Sequence, residues 1–314
     1  MLPFIDDAIT SILRIRALRF KIRTKKILSI FWQEVLSMPP DMTEEERARR
    51  RAKNLELIRQ FRLMDNPFMG RVFQGDLELG QLLAMLMTGR NDLTVTSVIT
   101  EHELKNLHGR SVRLDIHAFD HDKKEIDIEI QRAKKGATPK RIRYNSAMMD
   151  SNFLVQSEDF EDLPEQYIFF VTENDVNGLH QLLSPVEKRL GKGLTIPYDD
   201  GIHIAFIDSS KADDSPLGKL MHDFRCRQAE EMYYPLLKEK VRYYKENKKG
   251  VTIMSDIFEK YLQEEHDAGK SEGKREMILG MIEDHDPLAK IMKISKWSAD
   301  QIRALAEKNG LAVE

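Results

Sequence analysis

Asp115, Glu129 and Gln131 could do hydrolytic chemistry together, because they sit on two alternating runs inside SVRLDIHAFDHDKKEIDIEIQRA, residues Ser111 to Ala133. Strand side chains alternate between faces, so the first run sets Leu114, Ile116 and Ala118 against Arg113, Asp115 and His117. After the polar connection Asp120 to Lys124, the second run sets Ile126, Ile128 and Ile130 against Asp127, Glu129 and Gln131. Two such runs joined by a short polar loop form a β-hairpin. If the apolar faces share a core, register brings Asp115 beside Glu129 and Gln131, which requires an odd turn length or a bulge. Two carboxylates on one face repel unless positive charge lies between them. A hard divalent cation such as Mg²⁺, which takes carboxylate oxygens along with waters and phosphates, answers that need. A carboxylate pair about 5 Å apart also suits metal-free retaining glycoside hydrolysis. Surface carboxylates paired with Arg113 and Arg132 are the non-catalytic alternative.

The order Asp, short hairpin, Glu-x-Gln resembles the PD-(D/E)XK nuclease superfamily, in its recombination-promoting nuclease and transposase branch. The likeness continues through Arg141, Arg143 and Tyr144 in PKRIRYNSAMMD and through YIFFVTE, covering roughly Met64 to Lys245. It implies a restriction-endonuclease-like α/β fold, a mixed sheet flanked by helices, and a Mg²⁺- or Mn²⁺-dependent DNA endonuclease. Asp115 and Glu129 would then ligate the cation. Gln131 stands where most of the superfamily carries a catalytic lysine, and an amide offers hydrogen bonds but no charge. A helix before the sheet often adds an acid in that superfamily, and Glu78 is the local candidate, although a solvent-facing Glu78 fits as well. The rival reading is a nuclease-fold protein that binds nucleic acid without cutting it.

These residues need elements to hold them. GDLELGQLLAMLMTG repeats Leu79, Leu82, Leu83 and Leu86 at helical spacing and stops at Gly89, and LTVTSVIT reads as the first strand. After Gln131, the stretch RAKKGATPKRIR crowds Lys134, Lys135, Lys140, Arg141 and Arg143 into a loop and the start of a helix over Pro139 to Leu154. A charge run usually just solvates a surface, but beside the proposed metal face it suits phosphate contact, fixing DNA by charge without reading bases. QYIFFVTE and IHIAFID are further strands, and from Pro216 the pattern is helical. Expected domains are a basic, charged N-terminal extension (1–60), the nuclease-like core (61–210) and a C-terminal helical region (211–314). Within the last, KWSADQIRALAEKNGL carries a Ser298 cap and reads as a small helical unit. Tyr233, Tyr234, Tyr243 and Tyr244 are more in keeping with core or rim than with stacking on single strands.

Composition sets limits. The chain has 314 residues, 41% hydrophobic and 32% charged, with a formal net charge of -3, so any attraction to DNA must come from local basic patches. A single cysteine, Cys226, excludes an intrachain disulfide and a multi-cysteine zinc site, and fits the cytoplasm. HExxH, GxxxxGK[ST] and GxGxxG patterns are missing, which removes support for zincin, nucleotide-driven and dinucleotide chemistry. Residues Met1 to Leu36 alternate apolar and basic residues without a run of bilayer length. They read as an extension outside the fold in preference to a DNA-touching or membrane-surface helix. No membrane partner is expected, and association into a homo-oligomer is left open.

Overall fold

The computed structural model describes residues 43–313, apart from 107–108, 133–135, 156 and 194. The expectations for Met1 to Leu36, for Lys134 and for Lys135 lie outside the described residues. Two compact units appear: Arg51–Phe258, and one that takes in Glu259–Glu314. Among the described residues no helix is long and apolar enough to cross a membrane.

The Arg51–Phe258 unit is built on a six-stranded mixed sheet of order β1-β2-β3-β4-β8-β5. Strands β1 (Val95–Leu104), β2 (Val112–Asp120) and β3 (Glu125–Gln131) form an antiparallel meander. Strand β4 (Gln166–Thr172) pairs parallel with β3, β8 (Ile202–Asp208) pairs parallel with β4, and β5 (Leu183–Val186) closes the far edge antiparallel to β8. A separate two-stranded ribbon, β6 (Arg189–Leu190) with β7 (Ile196–Pro197), precedes β8. β5 and this ribbon escape sequence reading because they are short, carry prolines and leave most side chains exposed.

Helices α1 (Glu44–Gln60), α2 (Asn66–Phe73) and α3 (Leu77–Thr88) precede the sheet. α3 begins where Asp76 Oδ1 accepts from Leu79 N–H at 3.0 Å and ends at Gly89, whose φ of 69° suits a residue without Cβ. Its Leu79 and Leu83 join Phe68, Met69 and Phe73 of α2 against Ile116, Ala118, Ile126, Ile128, Ile130, Phe169 and Val171. Helices α5 (Pro216–Arg225) and α6 (Pro235–Glu246) complete that layer with Leu220, Phe224, Leu237 and Val241. α4 (Pro139–Phe153) is the crossover between the parallel strands β3 and β4 and covers the opposite face, where Ile142, Met148 and Met149 meet Ile168, Phe170 and Phe206. Helices on both faces explain why β4 is buried along its whole length.

The expected alternation of β2 needs one correction. Ile116 and Ala118 pack in the first core as expected, but Leu114 lies in the second, with Leu104 and Ile142. At that level β1 is irregular, with Glu101 at a φ of 51° between the pairs Thr100↔Ile116 and His102↔Leu114. A positive φ at a residue other than Gly, Asn or Asp is uncommon.

In the C-terminal unit, Ile278, Ile282, Ile291, Ile302 and Ala306 form a small core with Trp297 and Leu305 at its edge. They come from α7 (Lys248–Glu283), α8 (Leu288–Ser295) and α9 (Ala299–Lys308). α9 opens with the expected Ser298 cap, whose side chain accepts from Gln301 N–H at 3.2 Å.

Gly80 lets α3 press directly on β1, since a Cβ there would overlap Val98 Cγ2. Gly80→Val is therefore expected to cost about 1–3 kcal/mol in urea unfolding, and Val98→Ala in the same chain should recover part of it. Strict additivity of the two changes would show that this contact is not the constraint.

Candidate active site

The site forms where the β2–β3 hairpin opens. Backbone pairing between the two strands runs from Phe119↔Glu125 to Ile116↔Ile128, with the odd-length turn that the register requires. One step further, Ile130 N–H is donated to Asp115 Oδ2 at 2.8 Å. The Asp115 carboxylate thus takes over a ladder bond and is fixed by the sheet itself. Glu129 lies on the α4 side of β3, with Ile128 and Ile130 in the opposite core.

Both carboxylates are desolvated: Asp115 is 8% exposed and Glu129 wholly buried. Surface ion pairs with Arg113 and Arg132 are not what holds them. Arg132 instead donates to Asp65 at 2.9 Å and to Glu173 at 3.0 Å, and Glu173 also accepts from Arg62 at 2.8 Å. That network ties the end of β3 to the end of β4 and to the loop before α2. Gln131 Nε2 donates to Glu129 Oε2 at 3.3 Å, and the Arg141 guanidinium donates to the same oxygen from the first turn of α4. Thr138 caps that turn and accepts from Arg141 N–H at 3.3 Å, which sets where the arginine emerges. A Cβ at Gly136 would overlap Gln131 Oε1, so a side chain there would displace the Gln131 amide.

Asp127 is an acid that the sequence reading left unassigned. It faces the same side two residues before Glu129 and is fully buried. No well-formed hydrogen bond meets either of its oxygens, Glu129 Oε1 or Asn145 Nδ2 among the described residues, although the Asn145 amide is near enough to pull the Asp127 carboxyl down. The hint lay in the EIDIEIQ alternation, which puts Asp127 on the face of Glu129, but burial by α4 was not visible. His117, on the same face, donates or accepts at both ring nitrogens, to Glu125 Oε2 at 3.0 Å and to His102 Nδ1 at 2.8 Å.

The electrostatics follow from burial. Desolvation pushes the Asp115 carboxyl up to about 6, against the Ile130 N–H and the Arg141 and Arg113 charges that pull it down. Desolvation and then the Asp115 charge push Glu129 up to about 8, with Arg141 opposing. Asp127 is raised well above the carboxylate range, by burial first and then by Glu129 and Asp115. Three acids thus share one close guanidinium. Their unpartnered oxygens, Glu129 Oε1 among them, fit a hard divalent cation, which prefers carboxylate oxygen and would offset the repulsion.

Glu78 is exposed in the first turn of α3, and the acid beyond the site that raises Asp115 is Glu101. Lys140 and Arg143 are exposed on α4. Among the described residues two groups have three ligand atoms within 4.8 Å of one another, and Asp115, Asp127 and Glu129 are not one of them. In His222, Asp223 and Cys226, both Asp223 oxygens already accept backbone N–H groups, from Tyr233 and Tyr234, each at 2.8 Å. Cys226 Sγ lies 3.4 and 3.8 Å from the two nitrogens of His222, so it rests against the ring and on neither lone pair. Asp120, His121 and Asp122 make the hairpin turn, where Asp120 Oδ1 accepts from Asp122 and Lys124 N–H groups at 2.9 and 2.8 Å. Both groups are explained by the local chain.

Residues 79–216 match the family described as PD-(D/E)XK nuclease family transposase. This stretch, which holds the hairpin, the basic helix and β4 to β8, is a domain of that family. Neither the curated proteins nor the solved structures gave a match.

Raised acid pKa values mean that the folded, metal-free chain binds more protons than the unfolded one between the ordinary carboxylate range and about 8. Stability from these groups is present at low pH and is lost as pH rises through that window. The melting temperature of chelator-treated protein should therefore fall from about pH 5 to about pH 7.5, and Glu129→Gln should flatten the fall. Mg²⁺ should stabilise more at the upper pH, where it has fewer protons to displace. A slope of the opposite sign, unchanged by Glu129→Gln, would count against this account.

Proposed function

We propose that this protein is a Mg²⁺- or Mn²⁺-dependent DNA endonuclease. The carrying observation is the desolvated Asp115 and Glu129 pair, with Glu129 Oε1 unpartnered, inside a nuclease-family transposase domain. Asp115 and Glu129 would hold the cation, which supplies Lewis acidity and charge neutralisation when bound. Asp115 is suited to this because its backbone-anchored Oδ2 keeps the carboxylate in one place. Gln131, whose amide reaches Glu129, would orient the attacking water by hydrogen bonds. The hydrolysis forms a bond from the water oxygen to phosphorus and breaks the bond from phosphorus to one bridging ester oxygen. The departing oxygen ends as a hydroxyl, carrying a proton that the water gives up.

Phosphate contact is assigned to the basic stretch Lys134, Lys135, Lys140, Arg141 and Arg143, which follows β3 immediately and opens α4. Exposed Lys140 and Arg143 would hold flanking phosphates and so position DNA without sequence preference. We place hydrolysis in residues 61–210, with 1–60 and 211–314 as flanking regions.

A plasmid-nicking assay should show cutting with Mg²⁺ or Mn²⁺ that EDTA stops and that Asp115→Ala or Glu129→Ala lowers by at least about 100-fold. Cutting that persists in both variants would move the site elsewhere. Clean protein that binds DNA but never cuts would leave a nucleic-acid-binding protein on a nuclease fold, for which the uncharged Gln131 is the structural argument. Neutralising Lys140 and Arg143 together should weaken binding to all sequences alike and lower the slope of log K against log salt by roughly 0.9 per lost contact. An unchanged slope would place the DNA path elsewhere.

A further inference from the structure

Gln131 leaves the site without a charged side chain from β3, yet one reaches the same carboxylate from another element. We infer that Arg141 is a catalytic residue, its guanidinium bringing to the scissile phosphate the positive charge that Gln131 cannot. The inference rests on the hydrolytic reading above and gives Arg141 a task apart from the general DNA grip of Lys140 and Arg143.

Three observations carry it. Arg141 and Gln131 converge on one atom, Glu129 Oε2, from helix and strand, so the guanidinium sits beside the amide where a lysine at 131 would deliver its charge. A Cβ placed on Gly136 would meet both side chains, at Gln131 Oε1 and, 3.6 Å away, at Arg141 Nη1, which sets the two in one small space. The nearby Arg132 is committed to Asp65 and Glu173, whereas Arg141 pairs with Glu129 and keeps 36% of its side chain open to solvent.

The chemistry suits an arginine. Its planar fork matches two non-bridging phosphate oxygens, and it stays protonated at any pH of interest. The Phe170 ring centroid lies 5.9 Å from the guanidinium carbon and gives it an aromatic neighbour. Without DNA the fork is held by Glu129. A cation on Glu129 would weaken that carboxylate's pull on the arginine, and the fork would then be able to meet phosphate. As water oxygen bonds to phosphorus and the bridging ester oxygen leaves, negative charge gathers on the non-bridging oxygens, and Arg141 offsets it. The proton balance is that of the hydrolysis already given.

The test combines single-turnover cleavage, DNA binding, and Mg²⁺ titration by calorimetry without DNA, on the full chain. Arg141→Gln should cut at least about 100-fold more slowly, as loss of one preorganised donor does elsewhere, while binding DNA no worse than Lys140→Gln and Mg²⁺ no worse than the parent. Adding Gln131→Lys to Arg141→Gln should regain at least about tenfold, since the charge returns from the strand. Slowing no greater than that of Lys140→Gln would overturn the inference. So would loss of Mg²⁺ binding in step with cleavage, which would make Arg141 a mere prop for Glu129, or failure of Gln131→Lys to restore any rate. If Arg141→Gln does not fold, Arg141→Lys serves instead: about tenfold slowing at unchanged Mg²⁺ affinity is expected, and the parent rate would overturn the inference. A parent chain that binds Mg²⁺ and DNA but cuts nothing would fail the hydrolytic reading itself, before any variant is made.

Discussion

Burying a carboxylate costs several kcal/mol unless charge or hydrogen bonds answer it. Here Asp115, Asp127 and Glu129 are all buried on one side of the sheet, beneath α4. One guanidinium, one amide and one backbone N–H reach them, and several of their oxygens have no partner. A protein seeking only stability would place apolar residues there, as the strand's other face does with Ile126, Ile128 and Ile130. The stored repulsion is intelligible as a site kept ready for positive charge. Protons meet the need in part, which is why Glu129 is pushed up to about 8, and a divalent cation would meet it better.

Holding such a cluster requires a frame that does not relax around it. β3 lies between the antiparallel β2 and the parallel β4, so Glu129 is fixed from both sides, with Phe170 as its neighbour in register. Beyond Gln131 the chain is tied down at once, through Arg132 to Asp65 and Glu173, and Arg225 adds a bond to the Glu173 carbonyl at 2.8 Å. On the other flank, Leu104 and Leu114 support α4 in place of the deeper core. Asp115 is the first β2 residue past the end of the β2–β3 pairing, where a side chain can take a backbone donor.

α4 has two duties that the sequence keeps close together. Its apolar residues Ile142, Met148 and Met149 seal the second core, and its first turn carries Lys140, Arg141 and Arg143. A crossover helix between parallel strands must start near the end of the strand it follows, so its first turn emerges beside the last residues of β3. Basic residues placed there reach the carboxylates or the solvent beyond them. Arg141 turns inward and Lys140 stays exposed because successive helix residues point about a quarter-turn apart or more.

By itself the sequence determined the strands of the candidate site. Period-two alternation depends only on neighbours along the chain, and it was enough to set Asp115 and Glu129 on one face of a hairpin whose turn has odd length or a bulge, of which the structure has the odd turn. The helices α3 and α4, the buried β4 and the Ser298 cap were legible for the same reason, since caps and periodicity are local signals. Only the tertiary structure decided how deeply the acids are buried, because burial depends on α4 arriving from outside the hairpin. It alone put Asp127 into the cluster, moved Leu114 to the second core and aimed Arg141 at Glu129. Each of these comes from contacts between residues distant in the chain, which leave no trace in the alternation of side chains.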